Sequence, residues 1–163
     1  MSQRSRDLPR RSCLSVPGSS EKMLAKGPTL DADMVFLDME DSVSPLEKEQ
    51  ARTKVLAAIH DGDWGDKVLC VRVNAWDTVW TVGDVLEVVG NAGERLDEIM
   101  LPKVQTAAEV VAMDLVLTQV ERNAGLPVGH IGIEAQIETA QGLINVEEIC
   151  AASSRLETVI LGP

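Results

Sequence analysis

The chain has 163 residues, of which 45% are hydrophobic, so it is long and apolar enough to bury the core of one domain. Its 26 acidic residues outnumber the 15 basic ones, and its only aromatic residues are one Phe and three Trp. Nucleic-acid binding is disfavoured, because it requires a basic surface and rings that stack on bases. No apolar run reaches the length of a membrane span or of a signal-peptide core. We therefore predict a globular protein with neither nucleic acid nor membrane as a partner.

The first eleven residues form a basic segment in which four arginines accompany a single acid, Asp7. We predict that residues 1–11 are a frayed basic arm and that residues 12–163 form the domain. Mitochondrial transit peptides are normally longer and poor in acidic residues, so we predict a cytoplasmic protein.

Six strand-like apolar runs follow the arm in chain order. They cover residues 13–17, 33–39, 67–74, 98–103, 129–138 and 158–162. Helices are predicted between them. Ser44 and Glu47 have the spacing of a capping box, Thr106 and Glu109 form a second box, and the helix after the second box is predicted to end at Gly125. This alternation of strands and helices predicts an α/β fold with a parallel sheet.

Six strand–helix units fit either a doubly wound sheet or the first part of an eight-stranded TIM barrel. The first strand is followed by Val16-Pro17-Gly18-Ser19-Ser20, which lacks the GxGxxG of a dinucleotide-binding turn. Charged side chains also recur at inward positions near strand ends, where a plain buried core would make them costly. A barrel with a site at its mouth explains them, so we predict a TIM (β/α)8 barrel present here as about its first six units.

The inward charges are grouped on three strands. Because side chains alternate along a strand, Asp38 and Glu40 share one face, as do Arg72 and Asn74, and likewise Glu134, Gln136 and Glu138. One arginine among several carboxylates is suited to a small anionic substrate and a divalent metal.

Five motifs in this order carry a resemblance to a known family. They are Arg11-Ser12-x-Leu14-x-Val16-Pro17-Gly18, Leu37-Asp38-Met39-Glu40-Asp41-Ser42-Val43, Val71-Arg72-Val73-Asn74, Leu101-Pro102-Lys103 and Ile137-Glu138-Thr139-Ala140-x-Gly142. From Arg11 onward the chain resembles the citrate lyase beta subunit and malyl-CoA lyase family of the HpcH/HpaI aldolase/citrate lyase superfamily. The resemblance implies a TIM barrel and a Mg-dependent lyase that cleaves, or forms, a carbon–carbon bond in a 3-hydroxyacyl-CoA thioester. Such thioesters include malyl-CoA, citramalyl-CoA and citryl-CoA, and their cleavage gives an acyl-CoA and a 2-oxo acid.

The same resemblance implies roles for individual residues. Glu138 resembles one of two carboxylate ligands of Mg2+ and contacts the substrate through the metal, whereas Arg72 resembles the residue that grips the substrate carboxylate. Glu40 belongs to the same constellation and is expected to orient Arg72 or a metal-bound water. For the CoA phosphates, the resemblance points to the first loop and helix start. This chain offers Ser19, Ser20, Lys22 and Lys26 there.

The family resemblance also implies parts that lie beyond Pro163. Relatives continue to an Asp that is the second metal ligand, to two further strand–helix units, and to a catalytic Asp that acts on a neighbouring subunit. We therefore expect a homo-oligomer, a trimer or hexamer by resemblance, and expect residues 1–163 alone to be inactive. Two alternatives stay open: a malyl-CoA thioesterase that uses the same metal and arginine, and a non-catalytic CoA-binding subunit.

Overall fold

The computed structural model describes residues 8–162 and contains a single parallel sheet of six strands. The strands are β1 (Cys13–Pro17), β2 (Met34–Asp38), β3 (Val68–Arg72), β4 (Glu98–Leu101), β5 (Gly132–Ile137) and β6 (Leu156–Leu161). Each strand pairs with the next one in the chain, in the order β1-β2-β3-β4-β5-β6. A doubly wound sheet would instead reverse its order at a central strand. The strand order therefore confirms the prediction of a barrel represented by its first six units.

Helices connect the strands and cover the outer face of the sheet. They are α1 (Glu21–Lys26), α2 (Lys48–Asp61), α3 (Thr81–Ala92), α4 (Ala107–Ala124), α5 (Ala140–Ile144) and α6 (Val146–Cys150). Single 3-10 turns lie at Gly27–Thr29, Pro45–Glu47 and Gly93–Arg95. Within residues 8–162, none of the helices has both the length and the apolar character that crossing a membrane requires.

The predicted helix boundaries are confirmed at one helix and shifted at another. The capping box of Thr106 and Glu109 starts α4, and Gly125 ends it in the left-handed conformation, with φ 74°. Ser44 instead caps a 3-10 turn by accepting a hydrogen bond from Leu46 N, so α2 starts later, at Lys48. The strand predicted at 129–138 begins only at Gly132, because Gly129 has a φ of 86° and turns the chain.

The alternation of side chains along each strand divides the core into two parts. The outward faces pack against the helices and form the main core, which includes Val35, Leu37, Leu69, Val71, Ile99, Leu101, Ile133, Ala135 and Ile137 with Val55, Val85, Val88, Val110, Met113 and Leu117 of the helices. The inward faces form a smaller cluster of Met34, Val68, Cys70 and Met100, against which Leu8, Phe36 and Ile160 pack.

The last residues of the basic arm are packed against the barrel rather than frayed. Arg10 donates from Nε to Glu98 Oε1 at 3.2 Å and from Nη2 to Glu157 Oε2 at 2.8 Å. Arg11 pairs with Asp33, and Leu8 contacts the inward cluster. Residues 1–7 of the predicted arm lie outside the described residues.

Glu98 is a fully buried carboxyl on the inward face of β4. Burial raises its pKa to about 8, and the nearby Glu134 adds to the rise, while Arg10 opposes it. Its Oε2 atom has no hydrogen-bond partner among the described residues. The folded protein therefore favours the protonated form of this carboxyl.

This burial predicts a pH dependence of stability. The pKa of Glu98 rises from 4.5 to about 8 on folding, so the folded state gains from protonation and loses that stability as the pH rises toward 8. We expect Glu98→Gln, which is neutral at every pH, to stabilise the complete protein by about 4 kcal/mol at pH 8 and by less than about 1 kcal/mol at pH 5. Urea unfolding at both pH values measures this. Glu49→Gln, at an exposed position on α2, is the control. Equal effects of Glu98→Gln at the two pH values would contradict the assignment.

Candidate active site

The carboxyl ends of the parallel strands lie at one edge of the sheet, and the charged residues predicted from sequence meet there. Asp38 ends β2, Arg72 ends β3, and Gln136 lies near the end of β5. Glu40 and Glu138 follow β2 and β5 by one or two residues. Enzymes with this fold carry their chemistry at this edge.

The edge of the sheet at the carboxyl ends of the strands forms the mouth of the barrel. Asp38 and Arg72 form a bidentate ion pair inside this mouth. Arg72 Nε donates to Asp38 Oδ1 at 2.8 Å, and Nη2 donates to Oδ2 at 2.7 Å. The two residues face each other in the register of β2 and β3. Burial alone would raise the pKa of Asp38, but the hydrogen bonds from Arg72, from Ser42 and from the backbone of Glu40 hold it below its usual value. Asp38 is therefore an anion that fixes the plane of the guanidinium.

This pairing restricts how Arg72 meets a ligand. Nη1 donates to Gln136 Oε1 at 3.1 Å and lies 3.7 Å from Glu40 Oε2. The edge of the guanidinium formed by Nε and Nη2 is taken by Asp38, so a substrate carboxylate has to approach the edge between Nη1 and Nη2. The sequence placed Asp38 on the inward face but did not identify it as the partner of Arg72.

Glu40 is held by a lysine that the sequence analysis did not include in the site. Lys103 Nζ donates to Glu40 Oε1, and also to Asp41 Oδ1 at 3.1 Å. The second oxygen of Glu40 accepts from Asp41 N at 3.1 Å. Burial raises the pKa of Glu40 although Lys103 and Arg72 act against it, whereas these two cations keep the pKa of Asp41 low against a smaller burial effect. Glu40 thus lies between the two cations of the mouth.

The backbone of the loop after β2 is also held by a lysine of α2. The buried ammonium of Lys48 donates to Met39 O at 2.8 Å and to Glu40 O at 2.6 Å, and it lies 5.6 Å from the centre of the Trp80 ring. A lysine at the start of a predicted helix is normally exposed to solvent. The sequence therefore contains no signal that Lys48 contacts these two carbonyl groups. The clamp holds the backbone that presents Glu40.

Glu138 lies on the other side of Arg72 and is half-buried. Its Oε1 accepts from the backbone N of Lys103 at 2.8 Å, and its Oε2 accepts from Gln136 Nε2 at 3.3 Å. No group of three His, Cys, Asp or Glu side chains within residues 8–162 is arranged to hold a metal ion. Mg2+ is commonly held by one or two carboxylates, with substrate and water oxygens completing its shell. Glu138 therefore fits one carboxylate position of such a site.

The four residues predicted to hold CoA lie in the loop after β1 and on α1. Ser20 caps α1 by accepting from Met23 N at 3.4 Å, and Lys22 and Lys26 are exposed on that helix. Lys54 of α2 donates to Ser19 O at 3.0 Å and is a further cation at this loop. Binding of CoA by these residues stays a prediction.

The loop that carries these residues is tied to the mouth at Gly18. Gly18 N donates to Asp38 O at 2.8 Å, and a Cβ atom on Gly18 would lie 2.7 Å from that oxygen. Only glycine allows this approach, which brings the start of the loop beside the end of β2.

The fold and the mouth define part of an α/β barrel with acidic and cationic side chains at the carboxyl ends of its strands. The model of the HpcH/HpaI aldolase/citrate lyase family matches residues 11–163, and the chain belongs to this family. This confirms the resemblance found in the motifs.

Two curated relatives show how much of a family member the chain represents. It is 46% identical over 154 residues to the L-malyl-CoA/beta-methylmalyl-CoA lyase of Cereibacter sphaeroides, covering 94% of this chain and 48% of that protein. It is 38% identical to the citrate lyase subunit beta of Leuconostoc mesenteroides subsp. cremoris, covering 93% of this chain and 49% of the relative. The chain thus spans about half the length of these relatives.

Solved structures agree with the fold. The citrate lyase beta subunit of M. tuberculosis, complexed with oxaloacetate and magnesium, superposes with a TM-score of 0.68 at 28% identity, over 95% of this chain and 57% of that one. Haloferax volcanii malate synthase superposes with a TM-score of 0.81 at 18% identity, over 93% and 49% of the two chains, and supports the fold alone.

The ion pair predicts the effect of neutralising Asp38. Asp38→Asn preserves the shape of the side chain but leaves the Arg72 guanidinium buried without its anion, so we expect a loss of about 3 kcal/mol in the free energy of unfolding at pH 7. Because the pKa of Asp38 is lowered from 3.8, its contribution is present above that pH and is lost as the pH falls below it. The difference between wild type and variant should therefore narrow in acid.

Chemical denaturation of the complete protein across this pH range measures both effects. Asp31→Asn, at an exposed position before β2, is the matched control and should change little. Wild-type stability of Asp38→Asn at pH 7 would show that the pair does not hold the mouth together.

Proposed function

We propose that the complete protein is a CoA-ester lyase that cleaves, or forms, a carbon–carbon bond in a 3-hydroxyacyl-CoA thioester. Malyl-CoA, citramalyl-CoA and citryl-CoA are substrates of this class, and the products are an acyl-CoA and a 2-oxo acid. The observation that carries the proposal is a guanidinium at the mouth of a barrel, with one edge fixed by Asp38 and with Nη1 bound to Gln136, whose amide in turn donates to Glu138. The identity of 46% to a malyl-CoA lyase supports it.

The chemistry of the reaction assigns tasks to these residues. In cleavage, the 3-hydroxyl loses a proton, the bond between carbons 2 and 3 breaks, and its electrons move into the thioester as an enolate that is then protonated. Arg72 binds the carboxylate of the part that becomes the 2-oxo acid, through the edge between Nη1 and Nη2. Asp38 and Gln136 keep that edge in place. Glu40 is assigned to the catalytic constellation because it lies beside Arg72 and Lys103.

Mg2+ is proposed as the cofactor, with Glu138 as one ligand. When bound, the ion would polarise the oxygen at the carbon that becomes the carbonyl. Family structures that contain magnesium support this assignment. Residues 1–163 alone contribute only Glu138 to the proposed ligand set and are expected to lack turnover.

The remaining features of the proposal concern CoA and the assembled protein. Ser19, Ser20, Lys22 and Lys26 are proposed to hold the CoA phosphates through hydroxyls and two cations on one side of α1. The protein is proposed to be a cytoplasmic homo-oligomer, a trimer or hexamer as the family resemblance implies.

Product analysis tests the reaction class. The complete protein, incubated with malyl-CoA and Mg2+, should release a 2-oxo acid together with acetyl-CoA. Free malate and CoA would identify a thioesterase, and no turnover of malyl-CoA, citramalyl-CoA or citryl-CoA would indicate a CoA-binding subunit.

Replacing Arg72 by lysine tests the grip on the carboxylate. Arg72→Lys keeps the positive charge but loses the planar fork that pairs with Asp38 and with a ligand at once. We expect kcat/KM to fall about tenfold or more, which is about 1.4 kcal/mol in transition-state stabilisation. Steady-state kinetics of the complete protein measures the change, with Arg122→Lys at an exposed position of α4 as the control. Turnover near that of wild type would remove Arg72 from the site.

Replacing Glu138 by glutamine tests the metal ligand. Glu138→Gln keeps the side chain's shape but removes a hard anionic ligand, so turnover should fall steeply and added Mg2+ should restore at most part of it. Lyase activity is titrated with Mg2+ in wild type and variant. Glu147→Gln, which is also neutralised but lies on α6, serves as the control. Full activity of Glu138→Gln with an unchanged Mg2+ requirement would show that Glu138 is not a metal ligand and has a structural role.

A further inference from the structure

Lys103 has an unusual backbone conformation for its residue type. Its φ is 53°, and within residues 8–162 no other residue apart from glycines has a positive φ. The left-handed region is unfavourable for a side chain with a Cβ atom, and such a conformation persists only where the surroundings impose it. This residue follows β4 and Pro102, at the mouth of the barrel.

The left-handed conformation lets one residue serve two sides of the mouth. The backbone N of Lys103 donates to Glu138 Oε1 at 2.8 Å, on the β5 side. Its side chain extends the other way, to the loop after β2, where Nζ donates to Glu40 and Asp41. Arg72 of β3 lies between these two contacts.

The four acids of the mouth consequently differ in their partners. Asp38 is paired with Arg72, and Glu40 and Asp41 are paired with the Lys103 ammonium. Glu138 receives hydrogen bonds only from uncharged donors in the described part of the chain, the Lys103 N–H and the Gln136 amide. Its bond to Gln136 is long, at 3.3 Å. A divalent cation entering the mouth therefore meets one carboxylate that no cationic side chain neutralises.

We propose that Lys103 is a positioning residue that selects which carboxylate receives the divalent cation. Its ammonium pairs with the carboxylates of Glu40 and Asp41 and so keeps them from binding metal. Its backbone N–H holds Glu138 Oε1, which leaves Oε2 to face the ion. This inference rests on the proposed function, because it concerns the metal of that reaction. It adds that the charge of Lys103 sets the number and place of bound ions.

The test counts bound ions directly and does not depend on activity. Mn2+ replaces Mg2+ as a spectroscopic probe, and binding to the complete protein is followed by electron paramagnetic resonance and calorimetry. Lys103→Gly is the informative variant, because it removes the ammonium, retains the N–H and relieves the unfavourable φ, so it should fold. Lys103→Arg retains a cation and is the matched control.

We expect wild type and Lys103→Arg to bind one Mn2+ per chain. Lys103→Gly should bind the first ion with an affinity within about threefold of wild type and acquire a second ion at Glu40 and Asp41. The second ion should disappear in Lys103→Gly combined with Asp41→Asn. One ion in Lys103→Gly, with unchanged affinity, would overturn the inference.

The outcome separates this inference from the proposed function. If wild type cleaves malyl-CoA with Mg2+ and Lys103→Gly still binds a single ion, only the selection by Lys103 is wrong. If wild type binds no Mn2+, both the metal assignment and the inference fail.

Discussion

The buried ion pair between Asp38 and Arg72 is the interaction on which the mouth depends. Both charges lie inside a parallel sheet, where either one alone would be costly, and register places them directly opposite each other. Asp38 also accepts from the backbone of Glu40 and Ser42, and its carbonyl accepts from Gly18. One aspartate thus joins the guanidinium, the loop after β2 and the loop after β1.

The helices hold this arrangement from outside the sheet. Asp84 of α3 accepts from Asn74 N at 3.0 Å and from Asn74 Nδ2 at 2.7 Å, and its other oxygen accepts from Arg52 of α2. Lys48 holds the carbonyls after β2. The residues just beyond β2 and β3 are therefore constrained by side chains from two helices, which keeps the mouth in one conformation and satisfies polar groups that the barrel buries.

Sequence predicted the features that depend on local patterns. The number of strands, their parallel arrangement and the inward face of Asp38, Arg72 and Gln136 follow from apolar periodicity and side-chain alternation. Periodicity alone did not fix the strand order, since alternating strands and helices allow both a barrel and a doubly wound sheet; the inward charges and the family resemblance were needed to predict the barrel. The sequence analysis expected Glu40 to orient Arg72 and gave Asp38 no such task, because both acids face inward and only the register of β2 against β3 puts Asp38 at the level of the guanidinium. Lys48 was missed, and Lys103 was placed in a motif but given no role in the site, because long side chains reach other elements in ways that no local pattern encodes.

In the proposed reaction, Asp38 fixes one edge of Arg72, and the opposite edge receives a carboxylate next to Glu138, the proposed metal ligand. A crystal structure of the complete protein with Mg2+ and a 2-oxo acid such as glyoxylate tests it most directly. We predict an intact Asp38–Arg72 pair, the ligand carboxylate at the edge between Nη1 and Nη2, and the ion on Glu138. A structure in which Arg72 leaves Asp38 to bind the ligand, or in which the ion lies on Glu40 and Asp41, would contradict it.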